Sequence, residues 1–174
     1  MSLENPLWDY ALELYRQPGV EQACLGLQQK GGLSINRLLF CCWLAGEGRR
    51  LRADELEASD AARWQRELTA PLRALRYQVR EQKRREDGLE VVYRALRQAE
   101  LAAEQVELAR LFSLGTRWPA ERAIDRPALL LCNIVGYLRQ AGVAADACLA
   151  DDLEILLCAA QPALDRTAVR LLRW

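Results

Sequence analysis

The amino-acid sequence predicts an all-α fold: a single-domain helical bundle of about seven helices, with a long antiparallel helical hairpin in its middle. Three features predict it. Apolar residues recur at steps of three and four along most of the chain, the period of a helix with one buried face. Glycine and proline fall between those stretches, where helices stop. β-branched residues are scarce and no strand pattern rises above chance.

Asn5-Pro6 opens the first helix, with Asn as N-cap and Pro at the first helical position. Trp8, Ala11, Leu12, Leu14 and Tyr15 form its apolar face, and Pro18-Gly19 ends it. Val20, Ala23, Cys24 and Leu27 mark a second helix, stopped by Gly31-Gly32. Ser34 caps a third, which runs to Gly46-Glu47-Gly48. Its stretch Ile35 to Ala45 is the most apolar in the chain and has almost no polar face. A helix that is apolar all round must be covered on all sides, so it is placed at the centre of the fold.

Arg49 to Glu57 is polar and reads as a linker with one helical turn. A long helix then runs from Ser59 or Asp60 to about Glu86, with a predicted seam of Ala61, Trp64, Leu68, Leu72, Leu75 and Val79. Pro71 falls within it, and a kink or a break is expected there. After the turn at Asp87-Gly88, a second long helix carries Leu89, Val92, Leu96, Ala99, Ala103 and Val106. Both seams alternate steps of three and four, as coiled coils do, for two to three heptads. Ser113 to Ile124 reads as a loop. Asp125 caps a further apolar helix ended by Gly142. Another covers about Cys148 to Ala160, and Asp165 caps a last short one. The chain therefore divides into N-terminal helices (1–48), the hairpin (59–114) and C-terminal helices (125–174) of one domain.

Composition narrows the chemistry. The 24 basic and 24 acidic residues cancel, so the chain has no overall attraction for nucleic acid or an anionic membrane. Half of its 174 residues are hydrophobic, enough for a real core. Histidine is absent, which removes the commonest general base and the commonest metal ligand. The six cysteines form no C-x-x-C pair and sit in apolar helical stretches, as buried thiols do in a reducing compartment. No signal-peptide pattern opens the sequence, and the longest apolar run is too short to span a bilayer. A soluble, cytoplasmic protein without metal, cofactor or membrane partner is expected.

Four patterns remain as candidates. Arg73, Arg76, Arg80, Lys83 and Arg84 recur at three and four along the first long helix. That helix, from Asp60 to Glu86, holds eight basic and four acidic residues. The stripe is a candidate surface for RNA or another polyanion, with Tyr77 beside it to stack on a base, or else an ordinary solvated face. Gln28, Asn36 and Arg37, with Glu13 and Asn133, are candidates for a polar pocket between helices, or for structural hydrogen bonds. Asp151-Asp152-x-Glu154 superficially resembles the metal-binding aspartates of isoprenoid synthases, but no second acidic cluster accompanies it, and acids suit a helix start in any case. Val20 to Trp43 has the outline of a helix-turn-helix. Beyond Ser34, Asn36 and Arg37, however, its second helix offers no polar side chains to read bases, so it is read as core.

The spaced residues Trp8, Tyr15, Pro18-Gly19-Val20, Ala23-Cys24-Leu25, Leu27-Gln28, Gly32, Asn36, Leu38-Leu39-Phe40 and Trp43-Leu44-Ala45 resemble the signature of a bacterial family, domain of unknown function 2390. Pro71-Leu72-Arg73-Ala74-Leu75-Arg76 is similar to its long helix. The resemblance implies a cytoplasmic bacterial all-α protein and carries no activity or functional residues with it. From the residues themselves, the leading expectation is a non-catalytic module that binds a protein partner or a second copy of itself, with Trp64, Trp118 and Trp174 near helix ends as anchors. Binding of a polyanion by the arginine stripe is the second expectation, and a small-ligand protein with a non-histidine pocket is the third.

Overall fold

A computed structural model describes residues 2–143, 147–170 and 172. Among these residues the fold has no strand beyond one isolated bridge, Arg49 with Ala120, and holds nine helices in order. They are α1 (Pro6–Tyr15), α2 (Val20–Gly31), α3 (Ile35–Gly46), α4 (Ala53–Glu57), α5, α6 (Glu90–Gly115), α7 (Arg126–Gln140), α8 (Ala147–Ala160) and α9 (Arg166–Arg170). Helix α5 is continuous through three segments, Asp60–Trp64, a π-helical Gln65–Thr69, and Ala70–Gln82. The count exceeds about seven because α4 and α9 are helices of five residues each.

The local signals act as their chemistry requires. Asn5 Oδ1 accepts from the backbone N–H of Leu7 and Trp8, each at 3.1 Å. Asp125 Oδ1 accepts from Ala128 N–H at 3.2 Å, and Asp165 Oδ1 from Thr167 N–H at 2.9 Å. Ser34 differs. Its side chain makes no capping bond to α3, and its backbone N–H instead donates to the Tyr137 hydroxyl at 2.9 Å.

Pro71 neither breaks nor ends α5. The Ala70 N–H donates to Gln65 O, one residue further back than the α-helical ladder reaches. This π turn widens the helix just ahead of the proline, whose ring would otherwise crowd the carbonyl of Glu67. Gly88, with φ +92, turns the chain into α6.

Every residue of α3 from Ile35 to Ala45 is buried, as an all-round apolar helix demands. α3 packs on α6 and α7, α2 packs on α8, and α5 lies along α6. One apolar core draws side chains from all nine helices. At its centre the rings of Trp118, Phe40, Trp43 and Phe112 touch in that order, with centroids 5.4–6.2 Å apart. Gly115 of α6 is pressed against them. A Cβ there would lie 2.7 Å from Phe40 Cε2 and 3.0 Å from Trp43 Cζ3. Neither ring has space to retreat, so Gly115→Ala is expected to lower unfolding stability by about 1–3 kcal/mol in a urea titration.

Burial of the thiols is uneven. Cys24, Cys41 and Cys42 are buried, and that burial pushes Cys41 and Cys42 well up and Cys24 to about 11. Cys132, expected to be buried, is exposed, and Cys158 is partly so. The Cys148 side chain lies outside the described residues.

Candidate functional site

The hairpin is built differently from the predicted pairing of apolar seams. Where α5 faces α6, the contact is ionic. Arg73 Nε donates to Glu100 Oε1 at 2.8 Å, and Arg73 Nη2 donates to Glu104. Arg76 Nε reaches the other Glu100 oxygen, and its Nη2 the first at 3.2 Å. Glu100 is buried, and burial alone would raise its carboxyl, but the two guanidiniums hold it below the usual range. Glu104 has only Arg73, and there burial prevails and raises it.

Arg73 and Arg76 thus leave the predicted stripe. Their charges are spent inside the hairpin, because residues 73 and 76 on α5 match 104 and 100 on an antiparallel neighbour. Arg80 and Arg84 flank Glu81 at 3.8 and 3.0 Å, and Lys83 pairs with Glu90 at 2.5 Å. Tyr77 does not stand free for a base. Its ring lies under Arg76 and Arg80, and its hydroxyl accepts from Gln28 Nε2 at 2.8 Å.

With the ionic contact inside, part of the predicted seam lies outside, while Ala61, Val79 and Ala103 are buried and Trp64 Nε1 donates to the Ala103 carbonyl across the two helices. Leu68 is 40% exposed, Leu75 45% and Val92 44%. Leu72 and Leu96 are half-buried, while Ala95, Ala99 and Ala102 are exposed. Leu68, Leu72, Leu75 and Val79 fall at i, i+4, i+7 and i+11, on one flank of α5. Val92, Ala95, Ala99, Ala102 and Val106 take one flank of α6 by the same spacing. The opposite flanks carry Tyr77, bonded to α2, and Glu104, close enough to Tyr15 of α1 to add to the rise that burial imposes on its hydroxyl. The apolar flanks of both helices therefore share the side turned away from α1 and α2.

A second feature lies beneath the hairpin's root. The π turn of α5 aims Thr69 inward, where it meets Glu107 of α6 and Asn36 in the first turn of α3. All three are buried, Glu107 to 1% exposure. Thr69 Oγ1, Asn36 Nδ2 and both Glu107 oxygens lack a closed hydrogen bond. Burial pushes Glu107 up to about 7, against the polar neighbours Thr69 and Asn36 and more distant Arg37, which lower it; nearby Glu104 raises it further. A carboxyl in that state is about half protonated at pH 7, and its protonated form can donate a hydrogen bond.

The family described as "Protein of unknown function (DUF2390)" matches residues 6–111. The chain belongs to that family. The DUF2390 span runs from α1 into the last turns of α6, and so contains the hairpin, its outer face and the Asn36–Thr69–Glu107 cluster. No curated protein and no solved structure matches the chain.

The proposed polar trio does not form one pocket in this DUF2390 protein. Gln28 lines a surface cavity of about 240 Å³ with Ser34, Gln65, Arg73 and Tyr77. Asn36 is buried against Glu107, and Arg37, one residue on, points elsewhere, to Glu57 Oε2 at 3.0 Å. Adjacent helical positions diverge by about 100°, which separates them. Asn133 is structural. It accepts from Leu51 N–H at 2.8 Å and donates to Arg49 O at 3.0 Å. Glu13 is exposed on α1 beside Tyr10.

The acidic run on α8 is also committed. Asp152 pairs with Lys30 at 2.9 Å, and Glu154 with Arg170 at 2.5 Å. Among the described residues no three His, Cys, Asp or Glu side chains are grouped to hold a metal. No helix among them is long and apolar enough to cross a membrane. The tryptophans do not serve as exposed anchors. Trp118 is buried with Nε1 donating to Glu55 at 2.8 Å, and Trp64 Nε1 donates to Ala103 O at 3.0 Å. Trp174 lies outside the described residues.

Sequence reasoning missed Thr69, Glu100, Glu104 and Glu107. A signal was present. Glutamates at 100, 104 and 107 interrupt an alanine-rich helix at core spacing, and their steps match the arginine steps of α5.

Proposed function

We propose that this chain is a helical interaction module that works as a homodimer, joined through the outer face of its hairpin. One observation carries the reading: apolar residues in coiled-coil spacing stand exposed on the side of the hairpin away from the body. The positions of that spacing, 68, 72, 75 and 79 on α5 and 92, 95, 99, 102 and 106 on α6, are all apolar.

A second copy suits this face better than an unrelated partner, because the face is self-complementary. α5 presents a ridge of leucines, and α6 beside it presents a shallow stripe of alanines edged by valines. A two-fold axis through the face lays each leucine ridge on the other copy's alanine stripe, giving a four-helix arrangement. The apolar stretch measures roughly 20 Å along the helices by 20 Å across two of them, about 400 Å². That is about half of the roughly 800 Å² per partner found in specific interfaces, so the flanking polar residues complete the contact. Binding of RNA by the Arg73–Arg84 stripe is less well supported, since Arg73 and Arg76 are neutralised by glutamates.

Light scattering on a sizing column tests it. The native chain is expected at twice its monomer mass and Leu75→Glu at the monomer mass, with the variant's circular dichroism unchanged because Leu75 is already half in water. A native chain that stays monomeric at its highest soluble concentration overturns the reading, as does a variant that still dimerises.

A further inference from the structure

The arginines that sequence reasoning did not gather are gathered by the fold. A cleft of about 740 Å³ opens at the root of the hairpin, where α4, the start of α5 and the end of α6 meet. Arg52, Arg63, Arg110 and Arg117 line it, against Glu55 and Asp60. The volume lies within the range of small-molecule sites.

The four cations are not equivalent. Arg52–Glu55 at 2.8 Å and Arg63–Asp60 at 2.5 Å are exposed pairs one helical turn apart. Such pairs are weak, so their guanidiniums can turn to a stronger anion. Arg110 is held in place without losing its charge. It lies over the Trp64 ring at 4.3 Å and donates to the Asp60 carbonyl at 3.2 Å. Arg117 is exposed, and no carboxylate among the described residues pairs with it. It lies close enough to Glu55 to help lower that carboxyl, after the hydrogen bonds from Arg52 and Trp118. The wall is rigid. Trp118 is fixed through Nε1 to Glu55, and Arg49 holds the turn that follows α6 by donating to the Trp118 carbonyl.

We infer that this cleft binds a small organic anion bearing two or more negative charges on phosphate or carboxylate groups. Arg110 supplies a held charge and exposed Arg117 a second one, and Arg52 and Arg63 swing in from their weak pairs. Guanidinium forks match both anion types bidentately, and a monovalent anion would leave half of the excess charge unmet. The inference is independent of dimerisation, because Arg117 and Arg52 lie off the apolar face.

Calorimetric titration with pyrophosphate and with citrate, at low ionic strength, tests it. Saturable binding of one or both is expected, and which one binds tells phosphate from carboxylate ligands. Arg117→Glu, on an exposed turn, is expected to weaken that binding at least tenfold without changing the melting curve. Arg110→Gln is expected to weaken it likewise. The monomeric Leu75→Glu chain is expected to bind as the native chain does, which separates this site from the dimer face. Absence of binding to both anions, or equal binding by Arg117→Glu, overturns the inference.

Discussion

Glu107→Gln is expected to abolish a loss of stability that the native chain suffers between about pH 5 and pH 8. Burial raises the Glu107 carboxyl from 4.5 to about 7 in the folded state. The folded chain therefore holds this proton more tightly than the unfolded chain does. The contribution is fully present below pH 4.5 and is lost as pH rises through about 7. The shift corresponds to about 3 kcal/mol above pH 8. Glutamine keeps the shape and carries no charge to desolvate, and its amide can bond Asn36 or Thr69. Urea titrations of both chains at several pH values should give curves that coincide near pH 5 and diverge toward pH 8, with the variant more stable. Parallel curves would mean that the Glu107 environment solvates a carboxylate better than its burial implies.

Glu100→Ala is expected to have the largest effect, a loss of about 3–5 kcal/mol of unfolding stability. Removing it strands two guanidiniums, since among the described residues Arg76 has no other carboxylate partner and Arg73 keeps only Glu104. The hairpin should loosen before the rest of the fold, since little else is buried along its outer half. Replacing all three members together, as Arg73→Met, Arg76→Leu and Glu100→Leu, is expected to come within about 1 kcal/mol of the native chain or to exceed it. That contrast would identify the network as a device that fixes the pairing of α5 with α6, rather than a net source of stability. A loss below about 1 kcal/mol for Glu100→Ala would show that solvent screens the network as it does surface pairs.

Much of the fold was legible. Asn5, Asp125 and Asp165 announced helix starts because a capping oxygen acts within three residues of itself. α3 announced its own burial because its sequence left no face for water. Pro71 was correctly placed within a helix, but its accommodation was not, since a π turn depends on what the widened helix rests against. The hairpin was recognised and its inner face was not. Two periodic patterns ran along α5, one of leucines and one of arginines. Hydrophobicity alone favoured burying the leucines. Glutamates 27 and 31 residues downstream of Arg73 reversed the choice.

The sequence by itself determined the helices, their order, the central place of Ile35 to Ala45 and the hairpin turn, because caps, glycines and periodicity act locally. Only the tertiary structure decided which flank of α5 meets α6, that Thr69, Asn36 and Glu107 share one buried point, and that arginines 52, 63, 110 and 117 ring one cleft. Each of those outcomes depends on how helices far apart in the chain rotate about their axes against one another. A quarter turn of a helix exchanges its buried and exposed flanks without altering a single local signal.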